Sequence, residues 1–149
     1  MNNLKVFIVD DNGFCRNMYK QQLRNIGFNK IYTFANGEEC LSNMFIQPDV
    51  IILDYDMVTL DGLQILKIIK TAFPEITILM ISGKSEKQIA IDAMAYGASA
   101  YISKDGREVE ALGRIAGNIV SAQRIDKISV PEGIFPYRNF NQSSKHLFN

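Results

Sequence analysis

Apolar residues along this chain fall into two alternating kinds of run. Five short runs rich in β-branched residues cover Lys5–Val9, Lys30–Phe34, Val50–Leu53, Thr77–Ile81 and Ala100–Ser103. They have no polar side and predict strands buried on both faces. Between them the apolar positions recur at helical spacing. Residues 14–26 place Phe14, Met18, Leu23 and Ile26 on a stripe that stops at Gly27. Residues 62–73 do the same with Leu63, Leu66, Ile69 and Phe73, and Pro74 follows. Residues 86–96 carry Ile89, Ala93 and Tyr96, and Ser85-Glu-Lys-Gln88 has the form of a capping box opening that helix. A shorter helix fits 37–45 from Asn36. A last one fits 107–124, with Val109, Leu112, Ala116, Ile119 and Val120 inward.

Strict alternation of strands and helices predicts an α/β fold: a doubly wound, five-stranded parallel sheet. The order 2-1-3-4-5 puts the first and fifth helices on one face and the second to fourth on the other. Cys15 and Cys40 then lie on opposite faces and cannot pair. The expected domain is 1–125. Residues 126–149 break the pattern at Pro131, Gly133 and Pro136 but keep Ile134, Phe135, Tyr137, Phe140 and Phe148. Their apolar density predicts docking on the domain or on a second copy, the alternative being a partly disordered terminus.

Composition adds exclusions. Sixteen Lys and Arg balance sixteen Asp and Glu, so no charge excess calls for nucleic acid or an anionic membrane. No apolar run approaches the ~20 residues of a membrane span, and the N-terminus enters a strand-like run without a signal peptide, so a cytoplasmic chain is expected. The one histidine, His146, removes His-based metal sites and Ser-His or Cys-His nucleophile pairs.

The remaining polar residues gather at strand ends. The first strand ends in Asp10-Asp11, the third in Asp54-Tyr55-Asp56, the fourth in Ser82-Gly83 and the fifth in Ser103-Lys104. In open parallel sheets the ligand site lies beyond the carboxyl ends, where strand order reverses, here between strands one and three. Asp10, Asp11 and Asp54 should therefore converge, with Ser82 and Lys104 approaching from the far side. Acids so close raise one another's pKa or recruit a cation, and Mg2+ suits oxygen ligands where a phosphate also binds. A lysine and a hydroxyl suit phosphoryl oxygens, and a carboxylate facing them can act as nucleophile.

This set resembles the response-regulator receiver domain of two-component signalling over about residues 3–124. Val6-Phe-Ile-Val-Asp10-Asp11, Asp54 in Ile51-Ile-Leu-Asp-Tyr-Asp-Met57, Asp61-Gly62, Ser82-Gly83 and Gly97-Ala-Ser-Ala-Tyr-Ile-Ser-Lys104 match its motifs in order. The resemblance implies that Asp54 accepts a phosphoryl group from a histidine kinase or histidine phosphotransfer protein. It implies Mg2+ held by Asp11, Asp54 and the Asp56 backbone carbonyl, with Asp10 helping through water. Ser82 and Lys104 contact the phosphoryl oxygens, and Ser82 and Tyr101 form a switch. The switch remodels the face of helix four, strand five and helix five for a downstream protein or a homodimer. Asp56 and Lys84 flank the approach. Val58 and Asp105 replace prolines common in the family. Members with Lys-Asp often carry a helix-turn-helix output domain, and none is legible here. Such a module is a switch rather than an enzyme, beyond self-phosphorylation from small donors and slow self-dephosphorylation. Two other readings remain: an unphosphorylated scaffold of the same fold, and a haloacid-dehalogenase-type phosphatase, whose Asp-x-Asp-x-Thr/Val motif Asp54–Val58 also fits. For the phosphatase, the acidic pair comes too early, and Asp105 and Asp126 do not form the downstream pair.

Overall fold

The computed structural model describes residues 2–126, and the expected docking of segment 127–149 lies outside them. The chain alternates β1 (Lys5–Val9), α1 (Gly13–Asn25), β2 (Lys30–Phe34), α2 (Gly37–Ser42), a 3-10 turn (Met44–Ile46), β3 (Val50–Asp54), α3 (Gly62–Ala72), β4 (Thr77–Ser82), α4 (Lys87–Ala95), β5 (Ala100–Ser103) and α5 (Glu108–Asp126). All strand pairs are parallel and the order is β2-β1-β3-β4-β5, as the pattern predicts. β1, β3 and β4 are buried almost throughout, which accounts for their unbroken apolar runs. The edge strands β2 and β5 are half exposed.

Two cores flank the sheet. One joins Phe7, Val9, Ile51 and Leu53 to Cys40 and to Ile65, Leu66 and Ile69 of α3. The other joins Val6, Ile8, Ile52 and Ile81 to Tyr19 and Leu23 of α1 and to Leu112 and Ala116 of α5. Cys40 belongs to the first and Cys15 borders the second, so the thiols are on opposite faces and free.

Helix ends depart from the sequence reading. Ser85–Gln88 forms no capping box. Glu86 is the cap residue of α4 and its side chain makes no cap bond, while Gln88 donates instead to Asp92, 2.7 Å away. The reciprocal box is at α3, where Asp61 accepts from the Gln64 amide and Gln64 accepts from the Asp61 amide, both at 2.9 Å. The second helix stops at Ser42, three residues short. The Asn43 side chain takes the Glu39 carbonyl at 2.7 Å, and the chain turns through a left-handed Gln47. Phe14, Phe73 and Tyr96, read as inward, are exposed. Each is in the first turn or at the cap of its helix. Tyr19, outside the predicted stripe, is fully buried instead. Gly97 closes α4 at φ 108, a conformation that disfavours any Cβ.

Candidate functional site

Asp10, Asp54 and Ser82 are the last residues of, or first beyond, three central strands, and all three are buried in the end of the sheet. Asp10 is fixed from several sides. Its backbone amide donates to the Phe34 carbonyl at 3.1 Å, its Oδ1 accepts from the Asn12 amide at 2.8 Å, and Arg16 Nη1 reaches its carbonyl at 2.6 Å. Asn12 caps α1 by accepting from the Phe14 and Cys15 amides, which fixes the loop carrying Asp11. Asp11 is exposed above the sheet.

Lys104 closes the site from the far strand. Its amide donates to the Ser82 carbonyl at 2.9 Å, holding the end of β5 against β4. Its Nζ is 2.9 Å from Asp54 Oδ1 and 3.4 Å from Asp10 Oδ2. No peptide bond among the described residues is cis, so the lysine reaches the acids through a trans Lys104–Asp105 bond. Burial alone would pull the ammonium's pKa down. The Asp54 hydrogen bond and the Asp54 and Asp10 charges outweigh it and push the pKa up. Burial also pushes Asp54 up to about 6 and raises Asp10, each only partly offset by the lysine.

Asp54 Oδ2 is buried with no hydrogen-bond partner. An unpaired carboxylate oxygen is a costly thing to bury, so this atom marks where a cation or a reacting group belongs. Among the described residues Asp10, Asp11 and Asp54 each bring an oxygen within 4.8 Å of the others, a hard donor set suited to a divalent ion.

The rim is built by β3–α3 and β4–α4. Ser82 Oγ accepts from the Lys84 amide at 2.9 Å. Asp56 Oδ2 accepts from the Gly83 amide at 3.1 Å, and Lys84 Nζ is 4.0 Å from Asp56 Oδ1, an open and partly solvated pair. Tyr101 is half-buried against the first core, and its hydroxyl donates to the Lys84 carbonyl at 3.4 Å. The predicted acids, Lys104 and Ser82 thus stand at one end of the sheet, with Asp56, Lys84 and Tyr101 on the adjoining rim. Sequence reasoning missed Asn12 and Arg16, whose polar identity next to the acidic pair was the available signal. It could not find the orphaned oxygen at all.

Gly62 brings the start of α3 down onto this site. A Cβ there would meet the Asp54 carbonyl oxygen at 2.5 Å and Tyr55 Cα at 2.7 Å. Both are backbone atoms that cannot swing aside. Gly62→Ala is therefore expected to destabilise the protein by about 2 kcal/mol, read as a lower denaturant midpoint. An unchanged midpoint would mean that the β3–α3 turn yields freely.

Comparison with known proteins adds the family. The family model described as the response regulator receiver domain matches residues 6–116. The chemotaxis protein CheY of Listeria monocytogenes is 32% identical over 117 residues, covering 76% of this chain and 98% of that one. A putative NtrX-like response regulator of Rickettsia felis is 36% identical over 107 residues, covering 70% of this chain and 22% of that longer protein. The solved chemotaxis protein CheY4 of Vibrio cholerae superposes with a TM-score of 0.70 at 26% identity, covering 78% of this chain and 98% of that one. This chain belongs to the response regulator receiver domains, the signalling modules of two-component systems. No helix among the described residues is long and apolar enough to cross a membrane.

Proposed function

We propose that this chain is a phosphorylation-dependent switch that accepts a phosphoryl group on Asp54 with Mg2+ and changes its protein-binding face in response. The observation that carries this reading is the Asp54 carboxylate: one oxygen is clamped by Lys104 and the other is buried without a partner. The free oxygen is the nucleophile. It forms an O–P bond with the phosphorus of a phosphohistidine on a kinase or phosphotransfer protein. The P–N bond breaks, and its electron pair leaves with the imidazole nitrogen, which takes up a proton. Lys104 and the Ser82 hydroxyl then face the phosphoryl oxygens. Asp11, Asp54 and the Asp56 carbonyl would hold the metal directly and Asp10 through water. When bound, Mg2+ neutralises charge between the carboxylates and the phosphoryl oxygens.

The switch follows from the same atoms. Ser82 Oγ is held by the Lys84 amide, and Tyr101 is tied to the Lys84 carbonyl, so both report to one residue of the β4–α4 loop. Drawing Ser82 toward a phosphoryl group moves that loop and with it the face made by α4, β5 and α5. The downstream partner is a protein docking there.

Acetyl phosphate with Mg2+ should add one phosphoryl mass to the wild type and none to Asp54→Asn, read by intact mass spectrometry. Equal labelling of the two chains would move the acceptor elsewhere. The Asp56–Lys84 pair covers the approach of water to the acyl phosphate. Asp56→Ala and Lys84→Ala should each speed phosphoryl decay by about threefold, a barrier change of about 0.7 kcal/mol. Wild-type decay in both variants would remove the pair from any role in lifetime.

A further inference from the structure

Asp11 is the one member of the acid cluster whose side chain nothing holds. It is exposed, and among the described residues its carboxylate makes no hydrogen bond or salt bridge. Asp10 is held by Asn12 and Lys104, and Asp54 by Lys104. A loose carboxylate is a poor ligand unless the backbone carrying it is fixed, because ordering it at the moment of binding costs entropy. Here the two peptides flanking Asp11 are fixed. In the second, the Asn12 amide donates to Asp10 Oδ1 at 2.8 Å. In the first, the Asp10 carbonyl accepts from Arg16 Nη1 at 2.6 Å, and from no other donor among the bonds described. A peptide is planar, so holding that oxygen also holds the Asp11 nitrogen and Cα.

Arg16 is in the first turn of α1, at the positive end of the helix dipole, where a cation is disfavoured. Its side chain runs back along the helix and crosses Gly13. A Cβ at Gly13 would lie 3.4 Å from Arg16 Nη2 and 3.9 Å from Cζ, so glycine there leaves the guanidinium its path. The side chain is half-buried and, among the described residues, forms no salt bridge with any acid of the cluster. We infer that Arg16 is a positioning residue: by gripping the Asp10 carbonyl it aims the Asp11 carboxylate at a divalent cation. This rests on the metal reading in the proposed function. The grip differs from that of Lys104, which lies against Asp54 Oδ1 and Asp10 Oδ2 and so takes up ligand oxygens. Arg16 takes a carbonyl and no carboxylate oxygen. Its charge alone would act the other way, since a cation beside the site repels Mg2+. Positioning and bare charge therefore give opposite signs when Arg16 is removed.

Calorimetric titration of Mg2+ into the metal-free full chain reads the sign. Arg16→Gln keeps a polar helix former that falls short of the carbonyl, and it should weaken Mg2+ binding by about tenfold or more. Arg16→Lys returns a donor to the carbonyl and should stay within about threefold of wild type. In an Asp11→Asn background the Arg16→Gln change should cost less than about twofold, because the group it aims is gone. A merely loosened helix would cost the same in both backgrounds. Binding by Arg16→Gln as tight as wild type or tighter overturns the inference. So does the full tenfold loss in the Asp11→Asn background, or an Arg16→Lys chain as weak as Arg16→Gln. Each of these leaves the metal reading standing. Wild type that takes up no Mg2+ overturns both together.

Discussion

Lys104→Met is expected to lower the stability of the metal-free protein by about 3 kcal/mol at pH 8, the usual scale for removing one partner of a buried charge pair. For a domain of this size the melting temperature should fall by roughly 10 °C. The reason is local. Lys104 Nζ is the cation shared by Asp54 Oδ1 at 2.9 Å and Asp10 Oδ2 at 3.4 Å, and both carboxylates are almost entirely out of water. Methionine keeps most of the side-chain volume and removes the charge, so packing loss is a minor part of the effect. Two buried carboxylates would then face each other with only backbone amides to hold them, that of Asn12 on Asp10 and that of Asp56 on Asp54. Their pKa values would rise further, and the loss should shrink as pH drops and protons replace the ammonium. Mg2+ should restore part of the stability by the same logic. Differential scanning calorimetry at pH 8 and pH 5, with and without Mg2+, reads all three effects. A variant that melts with the wild type at pH 8 would show that the lysine does not compensate the acids.

Much of this arrangement is legible in the sequence, for a physical reason. A parallel sheet covered on both faces leaves no polar position inside β1, β3 or β4, so the strands declare themselves as apolar runs and their polar ends stand out. Asp10, Asp54, Ser82 and Lys104 are visible because each ends such a run. Alternation and handedness restrict the winding to a few doubly wound orders, 2-1-3-4-5 among them, and need no side-chain detail to do so. Helix faces are less legible. The stripe of α1 can be phased through Phe14 and Met18 or through Cys15 and Tyr19, and both sets recur at helical spacing. Burial takes Tyr19 in and leaves Phe14 out in the first turn, while Cys15 and Met18 both pack at the border of the second core. Phe73 and Tyr96 are likewise terminal, as the cap residues at the opposite ends of α3 and α4. The capping boxes show a different limit. Ser85-x-x-Gln88 and Asp61-x-x-Gln64 are equally plausible strings, and only the backbone decides which side chain meets an amide.

The site holds one feature that no string of residues can encode. The three acids and the lysine are readable, but which carboxylate oxygen lacks a partner depends on how deep each strand end lies. Asp11 follows Asp10 by one residue yet is exposed, because the chain has already left the sheet. Asp54 is still within β3, so its carboxylate is drawn in with the strand. One oxygen is taken by Lys104 and the other is left bare. Burial therefore separates the acids into an exposed one and two held away from water, a distinction that charge count alone does not supply.

That distinction has a measurable sign. Asp54→Asn should stabilise the metal-free protein at pH 8 while removing the phosphoryl acceptor, so that the proposed function and the stability of this site pull in opposite directions. Burial raises the Asp54 pKa from 3.8 to about 6, despite the Lys104 bond. Between those values the folded state holds a proton that the unfolded state has released. Wild-type stability therefore falls with rising pH across that window and has lost the contribution by pH 8. At 1.36 kcal/mol per pKa unit the penalty is on the order of 3 kcal/mol. Asparagine carries no such charge, so its advantage should be largest at pH 8, shrink through pH 6 and vanish near pH 4. Saturating Mg2+ should narrow or reverse the gap, because an ion bound only to the folded state stabilises the chain that binds it better. Chemical denaturation of both chains at pH 4, 6 and 8 gives the three differences, and one metal titration gives the fourth. An asparagine variant less stable than wild type at pH 8 without metal would mean that the Lys104–Asp54 pair outweighs burial. In that case the bare oxygen of Asp54 would not be the strained point on which the proposed chemistry depends.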